Sequence, residues 1–444
     1  MFNYILEIIL FVIIIVICYI IYQKIKSKNV VVQPKNINMK NKTIIDVLKG
    51  NASMAPALRT KKSQNKIVNI NMNSVWESVS YNTYFRKVKG FAESLNYWFG
   101  SNTVVAIYGT NSVGWYYAYL GTIMNSGVTT AIPLNRASSI CEYILEDSGA
   151  TVLVIEGNKQ LEHLKQFALP SSIKLIVYYA NIDKKYTNAT FKTPLIDIDS
   201  FMKKRKRIKK SAKLDYDAVY LYSYKNVNRI TYTNKDMMKF VEGFLNDVKN
   251  NGSVKIISYL PLCNVVTQIF QIYLPICCCG ETWFAKNYNS VLGIKPTVFM
   301  ATPEIWKEYM KKIKNYMYIT RKMLYMKIKR DLGFGKCNLF MSTGAKLEDN
   351  VKKFFKDLDI NISDIYYGSE CGIVVDLKEQ LRKSIKIKLR NNEILLKDKQ
   401  HSDWMETGDV GYVDNDKLCI TVDKHDLMKI NGKLVCVKTI EQEI

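Results

Sequence analysis

The sequence predicts an α/β protein with two doubly wound βα subdomains, preceded by one transmembrane helix. Short apolar runs alternate with helix-compatible segments between residues 103 and 179, and a second series follows between residues 255 and 368. A segment that is apolar or aromatic at every position except Glu7 occupies residues 4–22. Such alternation is typical of parallel sheets covered by helices, whose ligands bind beyond the carboxyl ends of the strands.

The N-terminal apolar segment is long enough to cross a membrane. Glu7 is the one residue of 4–22 that is neither apolar nor aromatic, and a helix of this length spans a hydrocarbon core of about 30 Å. It lacks the basic start and small-residue cleavage site of a signal peptide. Lys24, Lys26 and Lys28 follow the span, which predicts a single-pass anchor with the rest of the chain in the cytosol, the endoplasmic reticulum being the default membrane.

Composition divides the chain into four segments. We expect an anchor with a basic flank over residues 1–28, a polar linker over 29–70, a large folded domain over 71–421 and a short C-terminal segment over 422–444. With 48% apolar and 12% aromatic residues, the composition excludes a disordered chain. The ten cysteines and three histidines lack the spacings of a disulfide framework or a zinc site, which favours a reducing compartment.

The first βα series begins with a buried strand and a helix that contains Trp115 and Tyr119. Its strands carry near-continuous apolar runs, as strands buried on both faces do. The strand segments are TVVAIYG (103–109), VTTAIPL (128–134), TVLVIEG (151–157) and IKLIVYY (173–179), with helices around 140–145 and at 158–167.

The second series has the same character. Its strand segments are KIISYLPL (255–262), TVFMAT (297–302), NLFMSTGA (338–345) and ISDIYYG (362–368). The helix after Pro303 carries an apolar face. That face consists of Ile305, Trp306, Tyr309, Met310, Ile313 and Met317.

A net charge of +24 raises the question of an anionic partner. The densest basic stretch is KKRKRIKK, residues 203–210. A solvated loop is the simplest interpretation, attraction to anionic lipid headgroups the second, and nucleic-acid binding the third. No aromatic residues interleave with this run, which disfavours a base-stacking surface and therefore a nucleic-acid partner.

Six further segments of the sequence are distinctive when taken in order. They are VAIYGTNSVGWYYAYLGTIMNSGVTTAIPLN, SYLPLCNVVTQIFQIYLPI, KPTVFMATPEIWKEYMKKI, STGAKLEDNVKKFFKDLDINI, YYGSEC and WMETGDVGYVDNDKLCI. In this order they resemble segments of an adenylate-forming long-chain acyl-CoA synthetase, with the bubblegum-type branch the most similar. The resemblance covers roughly residues 76–444. It implies the large N-terminal domain of the adenylate-forming fold, with a small β subdomain beside the two βα subdomains.

The resemblance also implies chemistry. Family members activate a fatty acid with MgATP to an acyl-AMP and pass the acyl group to coenzyme A. Asp409 in TGDVG corresponds to the carboxylate that accepts hydrogen bonds from the ribose hydroxyls, and Glu370 in YYGSEC to the catalytic carboxylate that holds Mg²⁺. The alternative for Asp409 is a turn aspartate that satisfies nearby amides.

Further adenylate-binding positions follow from the same segments. Tyr367 would present its ring to adenine, and Gly344 in STGA would allow close approach of that ring. Gly368 and Ser369 belong to the same adenylate-contacting segment. Whether Ser369 or Cys371 stands for the family's threonine stays open.

The phosphate loop departs from the family pattern. The family's glycine-rich segment cradles the leaving pyrophosphate through its amides. The corresponding stretch, YLYSYKNVNRITYTNKDM at residues 220–237, contains no glycine, and only Ser223 keeps its place. Lys225 or Arg229 could still neutralise phosphate, but Tyr224 and Val227 are bulky where close backbone approach is needed. The sequence therefore predicts an impaired ATP clamp.

A second departure lies at the C-terminus. Residues 422–433, VDKHDLMKINGK, resemble the family's hinge, with Lys424 at a catalytic-hinge position where arginine is usual. In the family this hinge leads to a lid domain with a catalytic lysine, and the sequence predicts that the lid is absent after residue 444.

Three functional hypotheses follow. The first is a membrane-anchored pseudoenzyme that binds a long-chain fatty acid or acyl-adenylate and partners active synthetases. The second is a weak or partner-completed ligase that uses ATP, Mg²⁺ and coenzyme A. The third is a non-enzymatic scaffold whose basic run, residues 203–210, lies on a membrane surface or on nucleic acid.

Overall fold

The structure, a computed structural model, describes residues 39, 41–54, 66–72, 75–183, 185–186, 191–209, 212–222, 227–249, 254–314, 328–368, 372–375, 385–397, 403–414, 417–423, 427–430 and 433–436. The predicted span at residues 4–22 lies outside these ranges. Within them, no helix has the length and apolar character needed to cross a bilayer. All described elements belong to one compact unit, Asn38–Ile444.

Part of the predicted linker is folded, which corrects its boundary. Helix α1 (Ile44–Met54) buries Ile44 and Leu48 completely, and Asn51 Nδ2 donates a hydrogen bond to Ile276 O at 2.7 Å. Strand β1 (Lys66–Met72) pairs with β2 (Val75–Ser80) and β11 (Glu281–Phe284). The prediction was wrong here because these apolar positions are few and their partners lie about two hundred residues away.

The first sheet has seven strands in the order β7-β6-β5-β3-β4-β8-β9, all parallel except the β8–β9 pair. This confirms the predicted doubly wound arrangement, since the strand order reverses at β3. Its strands are β3 (Val104–Tyr108), β4 (Val128–Ala131), β5 (Val152–Ile155), β6 (Leu175–Tyr178), β7 (Leu195–Asp197), β8 (Asp217–Tyr222) and β9 (Arg229–Thr233). The helices are α2 (Tyr81–Trp98), α3 (Val113–Met124), α4 (Ser138–Ser148), α5 (Asn158–Leu164), α6 (Ile198–Phe201) and α7 (Asn234–Lys249).

The second βα series forms two adjoining sheets. One has the order β10-β11-β1-β2 and the other β12-β13-β14, and Thr297 N donates to Lys255 O at 2.9 Å where they meet. The strands are β10 (Lys255–Ser258), β12 (Val298–Ala301), β13 (Leu339–Ser342) and β14 (Ile362–Asp364). The helical elements are α8 (Val265–Gln268), a π-helical turn (Ile269–Tyr273), α9 (Leu274–Cys277), α10 (Val291–Ile294), α11 (Pro303–Lys314) and α12 (Asp349–Asp357).

The chain then forms antiparallel structure, as expected for a small β subdomain. Strands β15 (Tyr367–Gly368) and β16 (Gly372–Ile373) make a hairpin. A four-stranded sheet follows in the order β17-β18-β19-β20. Its strands are β17 (Lys386–Arg390), β18 (Glu393–Lys397), β19 (Met405–Asp414) and β20 (Lys417–Asp423). Strand β20 extends past the boundary predicted at residue 421, and a hairpin of β21 (Leu427–Ile430) and β22 (Lys433–Cys436) comes next.

Among the described residues, two large apolar cores support these sheets. One surrounds Trp306, whose side chain is fully buried against Phe355 and Phe340. The other lies beneath β3 and β5 and includes Leu153 and Ile155. The apolar face predicted on α11 is confirmed at Trp306, Tyr309 and Ile313, which are buried, whereas Met317 lies outside the described residues.

Candidate functional site

Asp409 lies in β19, where two neighbouring residues shape its surroundings. Gly408 adopts φ +72°, and Asp409 N donates to Thr407 Oγ1 at 3.1 Å. Thr407 Oγ1 in turn donates to Ile394 O in β18 at 2.8 Å. The backbone amide of Asp409 is thus satisfied by its own turn, while its carboxylate points to a distant partner.

That partner is Tyr366, which donates from Oη to Asp409 Oδ2 at 2.8 Å across a separation of 43 residues. Tyr366 follows β14 and packs on the small apolar core of Val374, Val375, Ile394 and Leu396. The contact ties the carboxyl end of β14 to β19. A turn aspartate that only satisfies nearby amides does not describe this arrangement.

Tyr367 contacts a second element, at the start of helix α8. Asn264 Nδ2 donates to the Tyr367 hydroxyl, and Asn264 Oδ1 caps α8 by accepting from Val266 N at 2.8 Å. Burial raises the pKa of Tyr367 most, the hydrogen bond from Asn264 lowers it, and Cys263 and Asp409 raise it by smaller amounts. Tyr367 and Asp409 are therefore electrostatic neighbours, and the Tyr367 hydroxyl stays protonated at neutral pH.

Gly344 lies in the turn that follows β13. Its φ is +100°, and a Cβ added there would meet no protein atom within 4 Å. Glycine is required for the backbone conformation, and the space above it is open, which fits close approach by a flat ring. The hydrogen bond from Ile365 N to Ser342 O, 2.9 Å long, places this turn beside the segment that leads into Tyr366.

Two hydroxyls beside Gly344 were not anticipated from the sequence. Ser342 Oγ and Thr343 Oγ1 are buried and, within the part of the chain that the structure describes, have no hydrogen-bond partner. Buried polar atoms of this kind call for a ligand, water or other explanation. Their position at the carboxyl end of β13 is where doubly wound folds bind ligands.

The remaining predicted site residues divide into two groups. Gly368 pairs with Gly372 in the β15–β16 hairpin, directly after Tyr367. Ser223, Ser369, Glu370 and Lys424 lie outside the described residues. Among the residues that are described, no group of three or more His, Cys, Asp or Glu side chains is placed to hold a metal ion, so the structure assigns no magnesium ligands.

Arg229, one of the two candidate phosphate-neutralising cations, is engaged elsewhere. Its Nη1 donates to Asp147 O at 2.7 Å and lies 3.5 Å from Asp147 Oδ2. Its guanidinium lies over the Tyr220 ring, 4.9 Å from the centroid, and Tyr222 Oη also donates to Asp147 Oδ2. The guanidinium is therefore held by a carboxylate at the end of α4.

A polar network joins the two βα subdomains at the carboxyl ends of β3 and β10. Asn111 Nδ2 lies 2.9 Å from Ser258 Oγ, 2.9 Å from Leu260 O and 3.1 Å from Gln271 Oε1. Tyr116 Oη donates to Gln271 O at 2.9 Å. Gln271 belongs to the π-helical turn, an irregularity often found at functional sites. A cavity of about 20 Å³, room for one water, lies beside Asn111.

A comparison with protein families identifies the family of this chain. The sequence profile described as AMP-binding enzyme matches residues 57–224 and 229–418, well over half of the chain. The chain belongs to the AMP-binding enzyme family. The profile match and the α/β sheets agree with the resemblance drawn from the motifs.

Other AMP-binding proteins include long-chain-fatty-acid–CoA ligases. ACSBG2 of Mus musculus is 26% identical over 361 residues, which cover 67% of this chain and 53% of the relative. ACSBG1 of Macaca fascicularis is 24% identical over 432 residues, covering 79% of this chain and 57% of the relative. The chain spans about half the length of the curated relatives it matches. These relatives confirm the resemblance to the bubblegum-type branch.

Solved structures of AMP-binding enzymes share the fold. The A domain of a carboxylic acid reductase from Segniliparus rugosus, solved with AMP and a co-purified carboxylic acid, superposes with a TM-score of 0.74 at 12% identity, covering 90% of this chain and 77% of that one. O-succinylbenzoate coenzyme A synthetase from Bacillus subtilis, in complex with AMP, gives 0.66 at 14% identity, covering 90% and 83%. At these identities the likeness shows the adenylate-forming fold alone.

Proposed function

We propose that this chain is a long-chain fatty acid–CoA ligase homologue that binds an acyl-adenylate, with impaired ATP-dependent formation of that intermediate. The observation that carries the proposal is the oriented carboxylate of Asp409, held by Tyr366 at 2.8 Å. A carboxylate has about four acceptor sites, so an oriented carboxylate of this kind is suited to accept hydrogen bonds from ribose hydroxyls.

The turn after β13 supplies the rest of the binding surface. The open space above Gly344 suits the adenine ring. Tyr367 lies nearby in the fold, because it follows β14, the strand that pairs with β13. Ser342 Oγ and Thr343 Oγ1, buried and unpartnered among the described residues, could hydrogen-bond to polar atoms of an adenylate. This combination favours binding of the AMP portion independently of phosphate-loop chemistry.

Two features support impaired activation. Residues 220–237 lack the glycines that let a backbone approach phosphates, and the two ranges matched by the family profile are separated by residues 225–228 of this loop. Arg229 is neutralised by Asp147 rather than free for pyrophosphate. When bound, Mg²⁺ would neutralise phosphate charge, with Glu370 the proposed ligand from the family motif.

Calorimetric titration of the purified full-length protein with a non-hydrolysable long-chain acyl-adenylate analogue tests the proposal. We expect saturable binding that Asp409→Ala weakens by about tenfold to a hundredfold, since hydrogen bonds to charged groups contribute about 1.5–3 kcal/mol. Asp357→Ala, an exposed carboxylate on α12, is the matched control and should bind as the parent does. Equal affinity of the parent and Asp409→Ala would refute the proposed role.

The second candidate is a weak or partner-completed ligase, favoured by the same oriented Asp409. Incubation with labelled long-chain fatty acid, MgATP and coenzyme A separates the two. Acyl-CoA formed by the parent and lost in Asp409→Ala would establish ligase activity and overturn the impaired-activation proposal. Adenylate binding without product supports it.

We also propose that residues 4–22 anchor the protein in a membrane with the AMP-binding region in the cytosol. The apolar run, interrupted at Glu7 alone, and the lysines that follow it support this orientation. Protease treatment of sealed microsomes should digest the AMP-binding region of the membrane-bound protein. Release of the protein by alkaline extraction would contradict the anchor.

A further inference from the structure

The basic run at residues 203–210 is partly built into the fold rather than extending freely from it. Lys206 N donates to Glu93 O at 2.9 Å, and Asn96 Nδ2 donates to Lys206 O and Arg207 O, both at 3.1 Å. Both anchoring residues belong to α2. Residues 203–207 therefore lie along this helix, held by backbone contacts that leave the cationic side chains exposed.

Arg205 fixes the segment at a second point. Its Nε donates to Met202 O at 2.6 Å, and its guanidinium packs over Gly90, where an added Cβ would lie 3.1 Å from Nη2. A larger residue at position 90 would push this side chain outward. The glycine thus allows the basic segment to approach α2 closely.

A cleft of about 500 Å³ opens between the segment and α2. Its lining includes Arg86, Lys87, Lys203 and Arg205, with Asp199 as the one carboxylate. Asp199 pairs with Lys87 at 2.7 Å. Lys203 interacts electrostatically with Asp197, but the cleft lining holds four cationic side chains against the single carboxylate of Asp199, so the cleft carries a surplus of positive charge.

Exposed aromatic rings lie at the C-terminal end of the same face. Tyr97 and Trp98 are 47% and 43% exposed and pack edge to face, 5.3 Å apart. Lys204 Nζ lies over the Trp98 ring, 5.1 Å from its centroid. The positions from Arg86 to Trp98 extend for about 18 Å along α2. We name this surface, formed by Arg86, Lys87, Tyr97, Trp98, Lys203, Lys204, Arg205 and Arg207, the basic face.

We propose that the basic face docks on an anionic phospholipid membrane. Lysine and arginine side chains are attracted to acidic headgroups, and amphipathic tryptophan and tyrosine rings favour the headgroup region. A nucleic acid is disfavoured because one face of Trp98 is covered by Lys204 and Tyr97 lies edge to face with it, which is not a platform for successive bases. Such docking would hold the AMP-binding region against the membrane that contains its lipid ligands.

Quenching of Trp98 by brominated lipid tests the proposal on the full-length protein. Vesicles of phosphatidylcholine, with and without phosphatidylserine, carry a brominated phosphatidylcholine that quenches tryptophan at short range. The Trp98→Phe variant gives the signal of the other five tryptophans, so the difference reports Trp98 itself. We expect Trp98 to be quenched only with phosphatidylserine, and less at high salt.

The variant Lys203→Ala, Lys204→Ala, Arg207→Ala keeps Arg205 and its packing on Gly90. At about fivefold per cation, the lipid concentration for half-maximal quenching should rise on the order of 100-fold. The control Lys311→Ala, Lys353→Ala, Lys356→Ala removes equal charge from exposed positions on α11 and α12 and should resemble the parent. The variant Lys203→Arg, Lys204→Arg, Arg207→Lys preserves charge and should retain quenching, which separates loss of charge from loss of structure.

Three outcomes would overturn the proposal. Trp98 quenching that is equal without phosphatidylserine would remove the electrostatic basis. Equal effects of the basic-face variant and its control would remove the assignment to this face. If the basic-face variant loses binding to an oligonucleotide or to inorganic phosphate while its lipid quenching is unchanged, the face binds a different anion.

Discussion

A substitution at Gly344 should affect both the stability of the fold and the binding of an adenylate. Its φ of +100° is strained for any residue with a Cβ, although the surrounding space is open. We expect Gly344→Ala to lower the free energy of unfolding by about 1–2 kcal/mol. Urea unfolding followed by circular dichroism measures this change, and adenylate titration of the folded variant should show weaker binding because the Cβ occupies the ring's approach.

Gly50 is the matched control for that substitution. It lies in α1, and a Cβ there also meets nothing within 4 Å. Alanine is the better helix former, so Gly50→Ala should raise the free energy of unfolding by about 0.5–1 kcal/mol. Equal shifts in the two variants would show that the left-handed backbone at Gly344 carries no cost.

Tyr366 orients the carboxylate, and its hydroxyl can be removed without changing its packing. Tyr366→Phe deletes the donor 2.8 Å from Asp409 Oδ2. We expect adenylate affinity to fall about threefold to tenfold, less than in Asp409→Ala, because the carboxylate remains but is less restrained. Tyr143→Phe, at an exposed ring, should bind as the parent does, and a Tyr366→Phe affinity equal to the parent's would exclude an orienting role.

Whether a site residue could be predicted depends on how far its partner lies along the sequence. Asp409 and Gly344 stand in short motifs that the sequence displays directly. Tyr366 and Asn264 were missed because their partners, Asp409 and Tyr367, lie 43 and 103 residues away along the chain. The engagement of Arg229 by Asp147 was missed for the same reason, across 82 residues. Long-range polar contacts of this kind leave no local pattern.

At the scale of the elements, the side-chain amide of Asn111 connects the β3–α3 loop to the π-helical turn. Asn111 has two amide hydrogens for three nearby acceptors on Ser258, Leu260 and Gln271. Asn111→Ala should lower the free energy of unfolding by about 1–3 kcal/mol, because buried acceptors lose their donor. Asn82→Ala, at an exposed position of α2, should have little effect in the same urea experiment.

The variant Asn111→Asp tests whether hydrogen-bond donation by the Asn111 amide stabilises the fold. It keeps the shape of the side chain but replaces the donor with a carboxylate facing Leu260 O and Gln271 Oε1. We expect it to be at least as destabilised as Asn111→Ala. Parent-like stability of Asn111→Asp would show that the network does not hold the two βα subdomains together.

The elements also show what patterning can and cannot predict. β3, β5 and β6 were predictable because strands buried on both faces carry continuous apolar runs. α1 and β1 were not, because α1 packs against distant parts of the chain and β1 pairs with them. Helix α1 is held by α9 through Asn51 and Ile276, a contact that residues 29–70 alone do not indicate.

On the scale of the whole molecule, burial is uneven. β5 lies inside the seven-stranded sheet and is buried at every position, whereas β17 is an edge strand exposed over most of its length. Local opening requires least free energy where few apolar contacts are lost. Stability should therefore decrease from the first βα subdomain toward the small β subdomain that carries Asp409.

Hydrogen exchange read by mass spectrometry tests this gradient and separates the two proposed surfaces. Amides of β3 and β5 should exchange slowest and those of β17 fastest. An acyl-adenylate analogue should slow exchange near Tyr366 and Asp409, because the bound analogue would link β14 to β19. It should leave exchange in α2 and residues 203–207 unchanged. Vesicles containing phosphatidylserine should do the reverse. If either addition protects both regions equally, the adenylate site and the basic face are not independent, and the two proposals would have to be merged into one.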